Sequence, residues 1–371
     1  MTKAHCTPPH KRRHRVGGLS EAPICAMLRA MTRIPRFVPL LIAAWTAALT
    51  PAPSRAGDYT FQWDNDKVAD TDRHYTNGMR IAVQPDEPGE WVQDAARWLA
   101  DVTAFEDGAE GMRMGWAFGQ DMFTPGDVQA QTPPPGDRPY AGWTYFAFTA
   151  QDDDAPRGGD WSRMDSVELD LGVVGPLAHA GEVQNWFHDQ INVPRSHGWS
   201  HQIHDEPGLL ATRTVKLRTD TWSPFGGTWP GFDVVGHGTA QLGNVRTGAG
   251  VGGTVRFGSG LGHEYGPVYG TFALPAKRPG DWVWSLYAGA EVRAVAWDIF
   301  LDGNTYRDSP DVDKKPWVLE SRFGIMTHVP LPPAWGLQGA RLDVSHVQRT
   351  REFETQDKSD RYGSLQLTVN F

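Results

Sequence analysis

The last eight residues, SLQLTVNF (364–371), constrain the fold of this chain most. Leu365, Leu367, Val369 and Phe371 share one face of an extended segment, and Gln366, Thr368 and Asn370 share the other. The reason is that successive strand side chains point to opposite sides. SVELDLGVV (166–174) repeats the pattern with charge: Val167, Leu169, Leu171 and Val173 oppose Glu168 and Asp170. A charged face opposite a clean apolar face fits a wall between lipid and a water-filled lumen as readily as a sheet with one solvated face. Twelve such segments are expected, at about 58–66, 74–85, 112–120, 140–150, 164–175, 210–218, 231–243, 248–257, 283–296, 316–328, 335–348 and 361–371. Each is near the roughly 9–11 residues that a tilted strand needs to cross a bilayer. Twelve is even, as single-chain bacterial barrels require. The expected fold is all-β: a transmembrane antiparallel β-barrel of about 12 strands, with short helices at the barrel ends.

The first residues follow no such pattern. Residues 1–30 are basic and aperiodic. From Met31, Arg33 and Arg36 precede the apolar run FVPLLIAAWTAALT (37–50), and PAPSRAG (51–57) follows with Ser54 and Ala56 spaced for cleavage. That layout is a secretory signal peptide, and its apolar run is short of the roughly 20 residues of a membrane helix. Residues 1–56 are therefore expected to be an upstream tail plus signal peptide, both removed, leaving 57–371 as a single outer-membrane barrel domain. Cys6 and Cys25 fall in the removed part, so the remainder needs no disulfides in an oxidising compartment.

Of the 35 Lys/Arg and 44 Asp/Glu, 9 and 1 lie in residues 1–56, so the remainder carries 26 basic and 43 acidic residues, net −17. This argues against nucleic acid as a partner, since phosphate-backbone affinity comes from clustered Lys and Arg. An acidic protein on an anionic lipid surface gains from a divalent cation between them. Sixteen tryptophans and nine tyrosines are available for interfacial girdles. The terminal aromatic Phe371 resembles the last-strand signal of outer-membrane proteins.

Two segments read as helices. In GEWVQDAARWLADVTAF (89–105), Trp91, Ala95, Trp98, Val102 and Phe105 form one stripe, suited to a membrane interface or to packing on the barrel end. The second lies around 181–191. With a periplasmic start, the connections after strands one, three and five face outward. They and their strand ends hold DNDK (64–67), TDRHYTNGM (71–79), QDMFTP (120–125), GDRPYAGW (136–143), GPLAHAGEVQNWFHDQI (175–191) and GWSHQIHDEPG (198–208). A site at the outer rim is the expected reading. DGNTYRDSPDVDKK (302–315) is rich in calcium-type ligands, but a solvated loop is the plainer account.

The order DND, DRHYTNGM, QDMFTP, GDRPYAGW, GVVGP, EVQNWFH and Gly198-Trp199 with Gln202 and Glu206 resembles the outer-membrane lipid A 3′-O-deacylases of the LpxR type. The resemblance runs from about residue 58 to the C-terminus. It implies a twelve-stranded barrel and calcium-dependent hydrolysis of the 3′-acyloxyacyl ester of lipid A, with lipopolysaccharide in the outer membrane as partner. Its site residues fall on Asn65, Asp66, Thr76, Gln184 and His188. One position departs: the resemblance implies a functional lysine after the QDMFTP segment, but no lysine lies between Asp121 and Arg138, so either Arg138 supplies the substrate-binding charge or the substrate differs at that contact.

The residue chemistry agrees with that implication. Ester hydrolysis by water needs a base and a donor for the developing oxyanion. His188 is the natural base, and Gln184, one turn earlier, shares its helix face. Asp66, Asn65 and Thr76 are hard oxygen donors that suit calcium, with Glu206 as a further ligand or as an orienting group for His188. The alternatives are an outer-membrane phospholipase A using Ser196 or Ser200, and a non-catalytic or pore-forming barrel. A monomer is expected.

Overall fold

A computed structural model describes residues 57–66, 74–103, 112–153, 161–224, 226, 230–267, 269, 280–332 and 336–371. The removed segment expected at 1–56 lies outside these residues. The compact unit that carries the barrel spans Thr50–Asn185 and Arg195–Phe371; Trp186–Pro194 falls outside it and is described by itself.

Twelve strands close into one antiparallel barrel, each paired with its sequence neighbours and the first with the last. They are β1 (Gly57–Asn65), β2 (His74–Pro85), β3 (Arg113–Thr124), β4 (Ala141–Asp152), β5 (Trp161–Val174), β6 (Glu206–Thr219), β7 (Gly231–Gly243), β8 (Arg246–Ser259), β9 (Val283–Asp298), β10 (Trp317–Pro330), β11 (Gly339–Arg349) and β12 (Asp360–Asn370). The helices are α1 (Glu90–Thr103), α2 (Ala180–Ile191) and the single turn α3 (Ile299–Asp302). Among the described residues no helix is long and apolar enough to cross a membrane.

The alternation sorts as the sequence pattern requires. On β5, Glu168 and Asp170 are buried inside, whereas Leu171 is 52% exposed on the outer wall. Inside, Arg80 makes a bidentate pair with Glu168 at 3.0 and 2.6 Å, and Arg349 and Arg293 converge on Glu320 at 2.8 and 3.1 Å. Buried charges persist when paired and hydrogen-bonded in this way. Among the described residues, these ion pairs occupy part of the barrel interior. A cavity of about 120 Å3, lined by Asp64, Tyr75, Asp121, Arg246 and Arg322 among others, has room for a few waters. At the end that holds the termini, the β8–β9 connection enters the barrel. Lys216 Nζ donates to Pro267 O at 2.7 Å, and Arg256 Nη1 to Glu264 Oε1 at 3.0 Å.

Two expectations need adjustment. Of the α1 stripe, Trp98 is 61% exposed, while Trp91, Val102 and Phe105 lie outside the described side chains; it is Val92, off the expected stripe, that is fully buried. Val92 packs with Met114, Trp116, Ala150 and Val167, which alternation places on the outer face of β3–β5. An indole left exposed there suits a membrane boundary. In addition, β6 starts at Glu206, four residues before its expected start. The EPG sequence looks like a turn, but Gly208 is needed because Trp143 leaves no room for a Cβ.

Candidate functional site

The polar groups of β1–β3 named in the motifs gather at the end of the barrel opposite the termini, and a bulge decides which way they point. Tyr75 faces inward, since its hydroxyl donates to Asp64 Oδ2 at 3.1 Å and Asp121 Oδ1 at 3.2 Å. Asp64 inside places the next residue, Asn65, outside, and Asn65 pairs in register with Asn77. Strict alternation from inward Gly78 would turn Thr76 inward as well. The β2–β3 register instead shifts between Tyr75 and Asn77, so Thr76 is the extra residue of a bulge and points outward. Bulges re-aim side chains in this way. Thr76 Oγ1 then meets Thr124 Oγ1 at 2.7 Å, and Asn65 Nδ2 donates to Thr76 O at 3.4 Å. Although Asn65 and Thr76 face outward, they are buried, at 4 and 3% exposure, and Asp66, just past the end of β1, is buried at 1%.

The segment after β5 folds back on the same outer wall. Gly175 takes φ 97° and His179 φ 55° to turn the chain. Ala178 O accepts from Gln120 Nε2 at 2.6 Å and from Thr144 Oγ1 at 2.8 Å. Gly142 is required there, because a Cβ would strike Ala180. The start of α2 thus seats on β3 and β4, where Ala180 joins Met122, Tyr140 and Trp199.

Gln184 is fixed from this base. Trp199 Nε1 donates to its Oε1 at 2.7 Å. Indole N–H is donor only, so the amide orientation is set, and Gln184 Nε2 is buried with no hydrogen-bond partner among the described residues. A buried N–H of this kind is a donor waiting for an oxygen.

The segment Trp186–Pro194 fixes His188 by itself. Asn192 adopts φ 55°, and Val193 N donates to His188 O at 3.0 Å, the left-handed helix stop in which asparagine replaces glycine. The turn returns Pro194 O to within 2.7 Å of His188 Nδ1. A carbonyl only accepts, so Nδ1 carries the proton and Nε2 is the basic nitrogen. His188 is 1% exposed.

The other expected residues stand elsewhere. Arg138 is 1% exposed, pairs with Glu352 at 3.1 Å and lies over Phe123 at 4.8 Å, on the inner side of the barrel mouth. Glu206 also faces inward, on β6, five strands from β1. Its carboxylate accepts from Asn244 Nδ2 (2.9 Å), Asn304 Nδ2 (3.1 Å) and Thr305 N (2.9 Å), tying the β5–β6 and β9–β10 connections together. The structure does not bring Glu206 to Asn65 and Thr76, and Arg138 stands over the inward ring of Phe123, on the face of the wall opposite to them. Trp199 and Thr124 were missed by sequence reasoning. Trp199 stood in a quoted motif, GWSHQIHDEPG, but its indole bond to Gln184 needs the fold.

Ser196 is clasped to Asn185: its N donates to Asn185 Oδ1 at 2.8 Å, and its carbonyl accepts from Asn185 Nδ2 at 3.2 Å. Ser200 Oγ lies 3.1 Å from His201 Nδ1 on an exposed turn.

A calcium ion would be held by the carboxylate of Asp66, of which Oδ1 is buried with no hydrogen-bond partner among the described residues, together with the neutral oxygens of Asn65 and Thr76. No group of three or more His, Cys, Asp or Glu suited to a metal occurs among the described residues. Such a hard, mostly neutral oxygen set fits calcium rather than zinc.

Comparison with known proteins gives the following similarities. LpxR from Salmonella typhimurium aligns at TM-score 0.67 and 20% identity, covering 85% of this chain and 100% of that one. The β domain of the Bordetella autotransporter BrkA aligns at TM-score 0.39 and 11% identity, covering 86% of this chain and 99% of that one. No curated protein matches. The family model for outer membrane protein LpxR matches residues 37–371, and the chain belongs to that family of outer-membrane β-barrels.

Proposed function

We propose that this protein is a lipid A deacylase that hydrolyses the 3′-acyloxyacyl ester of lipid A, a carboxylic ester hydrolase of the outer leaflet. The observation that carries the reading is the complementary locking of two groups on α2. Gln184 holds its Nε2 donor ready because Trp199 takes its oxygen. His188 holds Nε2 as a base because Pro194 takes its Nδ1 proton. Family membership supplies the substrate class.

In this reading His188 Nε2 accepts a proton from water as the water oxygen bonds to the ester carbonyl carbon. The carbonyl oxygen becomes an oxyanion, and Gln184 Nε2 donates to it. Collapse breaks the bond to the sugar oxygen. His188 returns its proton to that oxygen, leaving a free 3′-hydroxyl and the released acid. Calcium, when bound by Asp66, Asn65 and Thr76, supplies positive charge that polarises the ester carbonyl. Arg138 and Glu206 are assigned to holding the connections, not to the reaction.

Mass spectrometry of lipid A from cells expressing the wild type and His188→Ala tests the reading. The expected result is loss of one acyloxyacyl mass with the wild type and none with the variant. Unchanged lipid A from a folded, inserted wild type would sink it.

A further inference from the structure

Outer-membrane barrels usually join their strands by short turns at the periplasmic end. Here the β2–β3 connection at that end carries α1 (Glu90–Thr103) and lays it on the outside of the wall. Val92 is fully buried there, packed with Met112, Met114, Trp116, Ala150 and Val167. What α1 does to the wall shows at Trp116, the fourth residue of β3, on its outer face. The fourth residues of β7, β9 and β11 are Val234, Leu286 and Leu342. These strands, like β3, start at the end that holds the termini. Val234, Leu286 and Leu342 are 45, 47 and 39% exposed on the outer wall, whereas Trp116 is 9% exposed. Against β3–β5, α1 thus covers a strip of apolar wall that the other strands leave bare for lipid.

The sides of α1 away from the wall are of two kinds. Gln93, Asp94 and Arg97 are exposed, and Asp94 and Arg97 pair with each other. Trp98 follows Val92 by six residues, about 240° round a helix of 3.6 residues per turn. Its exposed indole therefore lies between the polar side and the wall side. A wall-bound apolar side, a charged side and an indole at the margin are the layout of a helix lying in a membrane interface. Trp98 also has company at this end of the barrel. Trp161 opens β5, Trp222 follows β6, Trp282 precedes β9 and Tyr59 lies near the start of β1, and all four are exposed. Exposed indoles and phenols collect where acyl chains give way to headgroups. Trp98 continues that series across the sector where α1 covers the wall.

We propose that α1 is an in-plane membrane anchor: it lies in the periplasmic leaflet of the outer membrane, takes the place of phospholipid against β3–β5, and sets Trp98 at the level of the phospholipid headgroups. The partner of this surface is the phospholipid of that leaflet. The inference stands independently of the deacylase reading.

The test uses the protein folded into vesicles of phosphatidylethanolamine and phosphatidylglycerol. Its two cysteines are Cys6 and Cys25, so with both changed to serine one nitroxide label can be placed at Trp98→Cys. Labels at Leu286→Cys on the bare wall and at Asp311→Cys in the exposed β9–β10 connection give the references in lipid and in water. Collision rates with dissolved oxygen and with a water-soluble nickel chelate report depth. The label at 98 is expected to favour oxygen over the chelate, at a depth no more than about 5–10 Å below the headgroup boundary and shallower than the label at 286. Adding Val92→Asp is expected to detach α1. The label at 98 then becomes as open to the chelate as the label at 311, and the label at 286 does not change. A label at 98 that is already as open to the chelate as the one at 311 when Val92 is present would overturn the assignment. So would a depth at 98 that is indifferent to Val92→Asp.

Discussion

The ring of His188 is held through Nδ1 by the carbonyl of Pro194 at 2.7 Å, and the turn that makes this possible depends on Asn192 at φ 55°. Asparagine tolerates the left-handed region, whereas a β-branched residue does not. Asn192→Gly is expected to keep activity. Asn192→Val is expected to lower kcat at least tenfold with little change in KM, because the base loses its orientation while substrate contacts remain. Steady-state kinetics on lipid A would check this, and equal activity of both variants would count against the turn's role.

Gln184→Ala removes the proposed oxyanion donor. Losing one such donor typically costs about 10²–10³ in kcat, and a loss in that range is expected here. Trp199→Phe should cost less, since it frees the amide to rotate but leaves the donor present. A larger loss for Trp199→Phe than for Gln184→Ala, in variants that are equally folded, would contradict the assignment.

Calcium dependence should follow the donor set. A chelator is expected to abolish hydrolysis, calcium to restore it, and Asp66→Asn to raise the calcium needed for half-maximal rate by at least about tenfold, because the only carboxylate of the set loses its charge. Thr76→Val should act in the same direction more weakly. Full activity in excess chelator would remove calcium from the mechanism without touching the base.

The mouth of the barrel should loosen in acid. Burial would raise the Glu352 carboxyl, but the guanidinium charges of Arg349, Arg138, Arg293 and Arg246 prevail and hold it down to about 2. At Asp137, burial is likewise outweighed, by hydrogen bonds from His74 and from the backbone N–H of Gly126 and Arg138, and its pKa is lowered. A depressed carboxylate stabilises the fold above its unfolded value and loses that contribution as pH falls through the folded one. The window is therefore from about 4.5 down to about 2 for Glu352. Limited proteolysis should begin to cut the 125–140 and 350–359 connections within it. Glu352→Gln should expose them to cutting already at neutral pH.

A steady pore is not expected. Arg80–Glu168, Arg349–Glu320 and the Lys216–Pro267 contact fill successive levels of the interior. Planar bilayers holding folded wild type should show no stable conductance. Open steps at every voltage would favour the pore reading of the sequence.

The barrel was legible because strand periodicity is a local property. Alternation around Leu365–Phe371 and Val167–Val173 is dictated by the pleat and by lipid on one side only, and all twelve expected segments form strands. The helix that carries Gln184 and His188 was legible too, since the expected segment around 181–191 forms α2 over Ala180–Ile191. Motif order pointed to the family, which the family match confirms.

What the sequence did not decide was which side of the wall a polar residue faces once alternation is broken, and which partner it meets across the barrel. The bulge at Thr76 turns it outward with Asn65, although simple counting would place it inside. Arg138 looked available in a loop, yet Glu352, 214 residues away, takes its guanidinium. Glu206 looked like a ligand, yet Asn244, Asn304 and the Thr305 amide claim its oxygens. Period and helix spacing are written in neighbouring residues. Register, bulges and long-range pairs are set by closure of the barrel, which brings together residues that the chain keeps far apart.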